Sequence, residues 1–211
     1  MKIKIGISLR IVEATEYTEK RDALSHDWST LLEKLDIIPI FIPNTLSSVE
    51  SFLDEINISG LILSGGDNIG QYEERDATEE ILIKYAIKKE IPVLGVCRGM
   101  QLINKFYGGS VIETSNRKHV GNTHEIDLSN PPSRKLFTND LTSVNSYHNN
   151  IITKDILGKN LEPFAVCKMD NTIEGFIHKQ HEISGVMWHP EREPDNFNQI
   201  LIKKIFDQES S

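Results

Sequence analysis

One stretch of the chain, IPVLGVCRGM from Ile91 to Met100, carries a cysteine in a narrow frame. Gly95, Val96, Cys97, Arg98 and Gly99 form a G-x-C-x-G pattern between an apolar, strand-like run and a helix-like segment. A nucleophile on a sharp strand-to-helix turn needs small residues two before and two after it, and the two glycines meet that demand. The helix that follows would bring backbone amides and a positive dipole end to the sulfur, which favours thiolate and can hold an oxyanion. Such a thiol needs a base. The segment GVMWHPER supplies His189 and Glu191, two residues apart with Pro190 between them. Proline disfavours helix at the residue before it. In an extended chain residues i and i+2 point the same way, so Glu191 can reach the His189 imidazole. The pattern predicts Cys97 as nucleophile, His189 as general base and acid, and Glu191 as the carboxylate that orients it.

The histidine precedes its carboxylate here, whereas the α/β-hydrolase order is nucleophile, acid, histidine; the order argues against that fold. Cys167 sits in FAVCKM, which alternates like a strand, and reads as a buried structural thiol. His26, His119, His124, His178 and His181 have no such carboxylate neighbour and read as surface or structural residues. No cysteine spacing typical of a metal site occurs, so neither metal nor cofactor is expected.

The elements that must position these groups are legible as a pattern. IKIGIS, IIPIFI, SGLILSGG and IPVLGV read as strands. Between them, EKRDALSHDWSTLLEKL repeats Leu24, Trp28, Leu31 and Leu35 at helical spacing, and a short helix is expected near Val49–Ile56. Asp76 or Thr78 is expected to cap a helix running to about Lys89, and GMQLINKFYGG to form one closed by Gly108. Nearly continuous apolar strands separated by amphipathic helices predict an α/β fold: an open, mainly parallel, flavodoxin-like sheet with helices on both faces. HVGNTHEIDL, LTSVNSYHN, LEPFAVCKM, TIEGFIH and ISGVMWHP add short strands in the C-terminal half. A last helix is expected from Pro194 to about Phe206, with Phe197, Ile200, Leu201 and Ile205 inward and DQESS frayed. No linker interrupts the chain, so residues 1–211 are read as one domain.

The 211 residues can bury a sizeable core. Lys and Arg number 23 against 31 Asp and Glu, a formal charge of −8 with no basic stripe, so nucleic acid is not an expected partner. The N-terminus MKIKIGISLR lacks the apolar core of a signal peptide, and no run approaches a membrane span; no membrane association is expected. Two distant cysteines without an export signal point to a reducing cytoplasm. Oligomeric state is not legible, and a homo-oligomer stays open.

GVCRGMQ together with WHPE resembles the class I (triad) glutamine amidotransferase family over nearly the whole chain. CRG, VNSYH at Val144–His148, NTIEG at Asn171–Gly175 and VMWHPER are similar to its γ-glutamyl hydrolase branch. The resemblance implies a γ-glutamyl thioester on Cys97, released by water that His189 activates. It implies an oxyanion hole from the amides of Arg98 and Gly66, and substrate contacts from Gln101, Ser146 and Tyr147. Within that branch, the compact length, RDAL, LSGG and CRGMQ resemble the γ-glutamyl-CDP-amidate hydrolases of capsule phosphoramidate synthesis, more than the γ-glutamyl-γ-aminobutyrate hydrolases. The implied substrate is then a γ-glutamyl amide whose nitrogen bears phosphorus. A diphosphate needs cations; Arg10 and Arg98 are the first candidates, Arg21 and Arg117 weaker ones. A glutaminase component feeding ammonia to a synthase is the alternative. Arg98, where such glutaminases usually carry an apolar or aromatic residue, argues against a synthase partner. The intact Cys97, His189 and Glu191 argue against a silent binding protein on the same fold.

Overall fold

The apolar runs ending at Ser8, Leu63 and Val96 lie side by side as strands of one sheet. The structure, a computed structural model, describes residues 2–115 and 117–206. The chain begins with β1 (Lys4–Ser8), a hairpin of β2 (Arg10–Glu13) and β3 (Lys20–Ala23), α1 (His26–Lys34), β4 (Ile38–Ile42), α2 (Val49–Ile56), β5 (Gly60–Leu63), α3 (Glu73–Lys89), β6 (Val93–Val96) and α4 (Arg98–Phe106). It continues through β7 (Ile112–Glu113), β8 (Val120–Asp127), β9 (Leu141–Tyr147), β10 (Asn150–Ile151), β11 (Leu161–Cys167), β12 (Ile173–His178), β13 (Ile183–Val186) and α5 (Asn196–Phe206).

The main sheet has the order β4-β1-β5-β6-β13-β12-β11-β8-β9. The first five strands pair in parallel and the last four are antiparallel. Strands β8, β9, β11, β12 and β13 of the second half thus extend the sheet of the first, while β7 and β10 pair separately. Alternate residues of each strand face opposite ways. Ile62, Leu94 and Val96 pack with α1 and α5 around Trp28, Leu31, Leu201 and Phe206, all buried. Leu61, Leu63 and Val93 pack with α2, α3 and α4 around Leu53, Leu82, Met100 and Ile103. Helices therefore cover both faces, as the pattern of apolar strands and amphipathic helices predicts. No helix among the described residues is long and apolar enough to cross a membrane.

Three sequence expectations need correction. Helix α1 starts only at His26, because the Ser25 hydroxyl accepts the Asp27 amide and caps it there. The preceding Lys20–Ala23 is polar and pairs with β2 instead. Helix α3 starts at Glu73, so Asp76 and Thr78 lie inside it; Asp76 accepts the Gly70 amide at 2.7 Å and pairs with Arg98. On α5, Leu201 is buried and Phe197 and Ile205 pack against the core, but Ile200 is exposed, one position off the inward stripe. The expectation for DQESS lies outside the described residues.

In an open parallel sheet, ligands gather beyond the carboxyl ends of the strands. Here those ends carry Leu9–Arg10 after β1, Ser64–Gly66 after β5, Cys97 after β6 and Met187–Glu191 after β13. Val96 and Val186 are in register, so β6 and β13 end level and deliver Cys97 and the His189 segment to one place.

Candidate active site

Cys97 is the turn between β6 and α4. Its φ of 51° and ψ of −104° lie far from strand or helix values. A non-glycine residue held there costs about 1–3 kcal/mol, which the packed elements around it sustain. Its amide donates to the Val186 carbonyl at 2.8 Å, tying the turn to β13. The two glycines of the frame are steric requirements. A Cβ on Gly99 would sit 2.1 Å from the Leu63 carbonyl oxygen, and one on Gly95 would meet the Gly99 backbone at 2.7 Å. No side chain fits either place without moving the elbow.

His189 lies between the thiol and a carboxylate. Its Nδ1 is 2.7 Å from Glu191 Oε1, and the ring interacts with the Cys97 thiol. Burial alone would raise the thiol pKa, but the His189 hydrogen bond and charge outweigh it, with help from His148, and Cys97 falls below the usual thiol value. Burial would lower His189, but its interactions with the Cys97 sulfur and the Glu191 carboxylate, which favour the protonated ring, raise it to about 9. The contact therefore favours the thiolate–imidazolium form of the pair. Asn145 fixes the histidine's backbone: its Nδ2 donates to the His189 carbonyl and its Oδ1 accepts the His189 amide, both at 2.9 Å. This arrangement can attack a carbonyl with sulfur and carry a proton to and from the leaving group.

A buried polar network shapes the opposite wall. The Arg75 guanidinium donates to the carbonyls of Ser64 at 2.8 Å and Gly65 at 3.0 Å, and reaches Glu79 and Asp67. Glu79 also accepts from Ser8 Oγ and pairs with Arg98. With the Gly65 carbonyl turned to Arg75, a planar trans peptide turns the Gly66 amide the opposite way. Gly66 itself has φ 125°, open to glycine. Gly65 lies against the reacting groups: a Cβ there would be 2.8 Å from His189 Cε1 and 3.6 Å from Cys97 Cβ. The Arg98 side chain is buried and spent on Glu79 and Asp76, so it does not serve as a free cation for a diphosphate. Its backbone, first in α4, stays beside the sulfur.

The cleft over Cys97 is lined by Arg10, Gly65, Gly66, Tyr147, His189 and Arg192, among others. Sequence reading placed Arg10, Gly66 and Tyr147 here, and the structure brings them together. It does not bring Ser146, whose hydroxyl points the other way and donates to the His119 carbonyl at 2.7 Å. Strand alternation explains the split: Tyr147 faces the cleft, and Ser146 the interior. Gln101 is buried outside the lining, between Met187 and Asn150. Arg21 is paired with Glu19 and Tyr17 on the surface, and neither it nor Arg117 lines the cleft. Sequence reading missed Arg192, whose guanidinium lies 4.2 Å over the Tyr147 ring, and Asn145. Arg192 directly follows Glu191 in the same motif, and Asn145 precedes the two residues chosen from VNSYH, so both signals were adjacent to ones read. Cys167 is fully buried, away from the cleft, and burial pushes its thiol up to about 11.

Residues 20–208 match the profile of the family described as glutamine amidotransferase class-I. A protein of Campylobacter jejuni subsp. jejuni serotype O:2 named gamma-glutamyl-CDP-amidate hydrolase is 36% identical over 209 residues, covering 96% of each chain. A protein of Methanococcus maripaludis, named as one subunit of the glutamine-hydrolysing GMP synthase, is 27% identical, over 82% of this chain and 85% of its own. Among solved structures, a putative GMP synthase subunit from Thermoplasma acidophilum superposes with a TM-score of 0.73 at 23% identity, over 98% and 94% of the two chains. The chain belongs to the class I glutamine amidotransferases.

Proposed function

We propose that this class I glutamine amidotransferase chain is a hydrolase of γ-glutamyl amides, acting through Cys97, His189 and Glu191. The observation that carries the reading is His189, bonded to Glu191 at 2.7 Å and interacting with Cys97 on a strained strand-end turn. The Cys97 thiolate attacks the γ-carbonyl. The oxyanion takes hydrogen bonds from the amides of Gly66 and Arg98. The His189 imidazolium gives its proton to the leaving nitrogen, and the C–N bond breaks to leave a thioester. Neutral His189 then takes a proton from water, the hydroxide adds to the thioester, and collapse expels the thiolate. The products are glutamate and the free amine or amidate, with His189 again protonated. Glu191 holds the imidazole in place throughout.

The substrate we infer is γ-glutamyl-CDP-amidate, which would yield glutamate and cytidine diphosphoramidate for capsule modification. The name of the C. jejuni relative supports it, at 36% identity across 96% of both chains. So does the pair of exposed arginines, Arg10 and Arg192, at the cleft that holds Cys97. Guanidinium suits diphosphate oxygens. Residues 1–211 act as one domain, with Tyr147 flanking the glutamyl site. The paired thiolate nucleophile and the unbridged Cys167 suit a reducing cytoplasm. Ammonia donation to a synthase is the second reading, favoured by the likeness to the M. maripaludis GMP synthase component.

The test compares kcat/KM for γ-glutamyl-CDP-amidate, γ-glutamyl-γ-aminobutyrate and glutamine. Binding energy from the nucleotide should place the first far above the others. If γ-glutamyl-γ-aminobutyrate is best, the capsule reading fails. If glutamine is best, and only with an added synthase, the chain is an ammonia donor.

A further inference from the structure

Behind the wall that carries Tyr147, four residues far apart in sequence converge. His119 precedes β8, His124 lies in it, His148 follows β9, and Glu174 lies in β12. The Glu174 carboxylate is their centre. His124 Nε2 is 3.4 Å from Oε2, while His148 Nε2 and His119 Nδ1 are 3.7 and 3.8 Å from Oε1. All four side chains are about 1% exposed. The three nitrogens and Glu174 Oε2 have no hydrogen-bond partner, though a buried polar atom left without one costs about 1–3 kcal/mol.

The outer nitrogens explain what the inner ones offer. His148 Nδ1 is 2.8 Å from the Asn150 carbonyl, which can only accept, so that nitrogen carries the proton. His119 Nε2 is likewise 2.8 Å from Asp170 Oδ2. In the neutral rings the lone pairs then lie on His148 Nε2 and His119 Nδ1, aimed at carboxylate oxygens. Lone pairs facing lone pairs in a dry pocket call for positive charge between them, a proton on nitrogen or a metal ion. Protons fill the gap poorly at His148 and His119, where 3.7 and 3.8 Å exceed the ~3.2 Å limit of an N–H···O hydrogen bond; His124, at 3.4 Å, is nearer to it.

We infer that His119, His148 and Glu174, whose ligand atoms lie within 4.8 Å of one another, hold a buried divalent transition metal, with zinc the best fit and His124 Nε2 beside Glu174 Oε2 at 3.4 Å. Zinc bonds to nitrogen and carboxylate oxygen of about 2.0–2.1 Å put tetrahedral neighbours about 3.3 Å apart, close to the separations here. Imidazole-rich sets with one carboxylate suit zinc and its first-row neighbours. Outer hydrogen bonds from ligating histidines to a carboxylate and a backbone carbonyl are the usual support of such a site. Cys167 makes a second set with His119 and His124, but only the set of His119, His148 and Glu174 includes the buried carboxylate. The residues are buried outside the cleft, which suits a structural metal. It ties the ends of β8 and β9 to β12 across β11, behind Asn145 and Tyr147, which touch the His189 segment.

The test uses the full chain without a histidine tag, in a Cys97→Ala background so that the cleft thiol contributes no ligand. Metal content is read by elemental mass spectrometry after dialysis, and the chelator-stripped protein is reloaded with zinc or cobalt(II). Expected are about one equivalent of metal per chain, a zinc-dependent rise in thermal midpoint, and intense visible cobalt bands of a tetrahedral site. His148→Ala and Glu174→Gln should each lose the equivalent and the cobalt bands, and Cys167→Ala should keep both. Should those ligand variants not fold, the thermal shift and cobalt spectrum of the parent decide alone. Metal below about a tenth of an equivalent after zinc-supplemented growth, with no thermal shift on reloading, overturns the site. So does a full equivalent in a folded His148→Ala/Glu174→Gln chain, or loss of metal in Cys167→Ala. None of these readings depends on the substrate.

Discussion

His189 and His119 are each held by a carboxylate, at 2.7 and 2.8 Å, yet they face different surroundings. His189 turns its free nitrogen to a thiol at the floor of a solvent-reached cleft. His119 turns its own into a closed pocket where its neighbours are two more histidines and a buried carboxylate. A carboxylate behind an imidazole fixes which nitrogen is free and makes it more basic. What that nitrogen then does is set by the group in front of it. Before a thiol it shares a proton and moves it; before other lone pairs, in a dry pocket, it is placed to ligate.

The largest break in this comparison comes from removing the thiol. Cys97→Ala and His189→Ala should each cut glutamate release from a γ-glutamyl amide by ~10⁴–10⁶-fold, since a nucleophile and its base act as a unit. Glu191→Gln keeps the shape but no longer holds the imidazolium, and should lose ~10²–10⁴-fold in kcat, less than His189→Ala. Steady-state rates of purified, folded variants check the order.

Titration sharpens the same contrast. Cys97 lies below the usual thiol value, so its thiolate survives as pH falls toward neutrality; His189 keeps its proton until pH rises through about 9. kcat/KM should therefore be bell-shaped, falling on the alkaline side near 9 and on the acid side as Cys97 is protonated. Iodoacetamide at neutral pH should label Cys97 and spare Cys167, which is buried and pushed up to about 11. Peptide mapping reads both.

Smaller effects follow from support residues. Asn145→Ala leaves the buried His189 amide and carbonyl unpaired and should cost about 1–3 kcal/mol of stability, with roughly a tenfold fall in kcat as the base loses its position. Denaturant unfolding and rate measurements separate the two losses. Cys167→Ala removes one buried sulfur outside the cleft and should leave kcat within about twofold.

The two regions also differ in how much of them a sequence can show. The cleft is built from compact segments: G-x-C-x-G at one strand end and His-Pro-Glu at another, each with its chemistry in a window of five residues or fewer. Strand period and helix stripe then place both at one sheet edge. Where reading failed there, the cause was a pairing between distant segments. Arg98 meets Asp76 and Glu79, and Ser146 faces His119, neither of which spacing reveals. Residues 20–23 run into the helical period that starts at Leu24 but pair with β2 as a hairpin. The histidine cluster lay beyond reach altogether. Its members at 119, 124, 148 and 174 meet only because β8, β9 and β12 share one sheet; His119 and His124 read as surface or structural histidines, and His148 and Glu174 only as members of VNSYH and NTIEG.

The central claim is a covalent γ-glutamyl thioester on Cys97, and rapid acid quench tests it most directly. γ-Glutamyl-CDP-amidate is mixed with excess enzyme, quenched early in a single turnover, digested and mapped by mass spectrometry. The account predicts one glutamyl increment on the peptide that carries Cys97, appearing with release of the amidate and decaying as glutamate forms. Glutamate released at the wild-type rate by Cys97→Ala, with no increment on any cysteine peptide of the wild type, would contradict it.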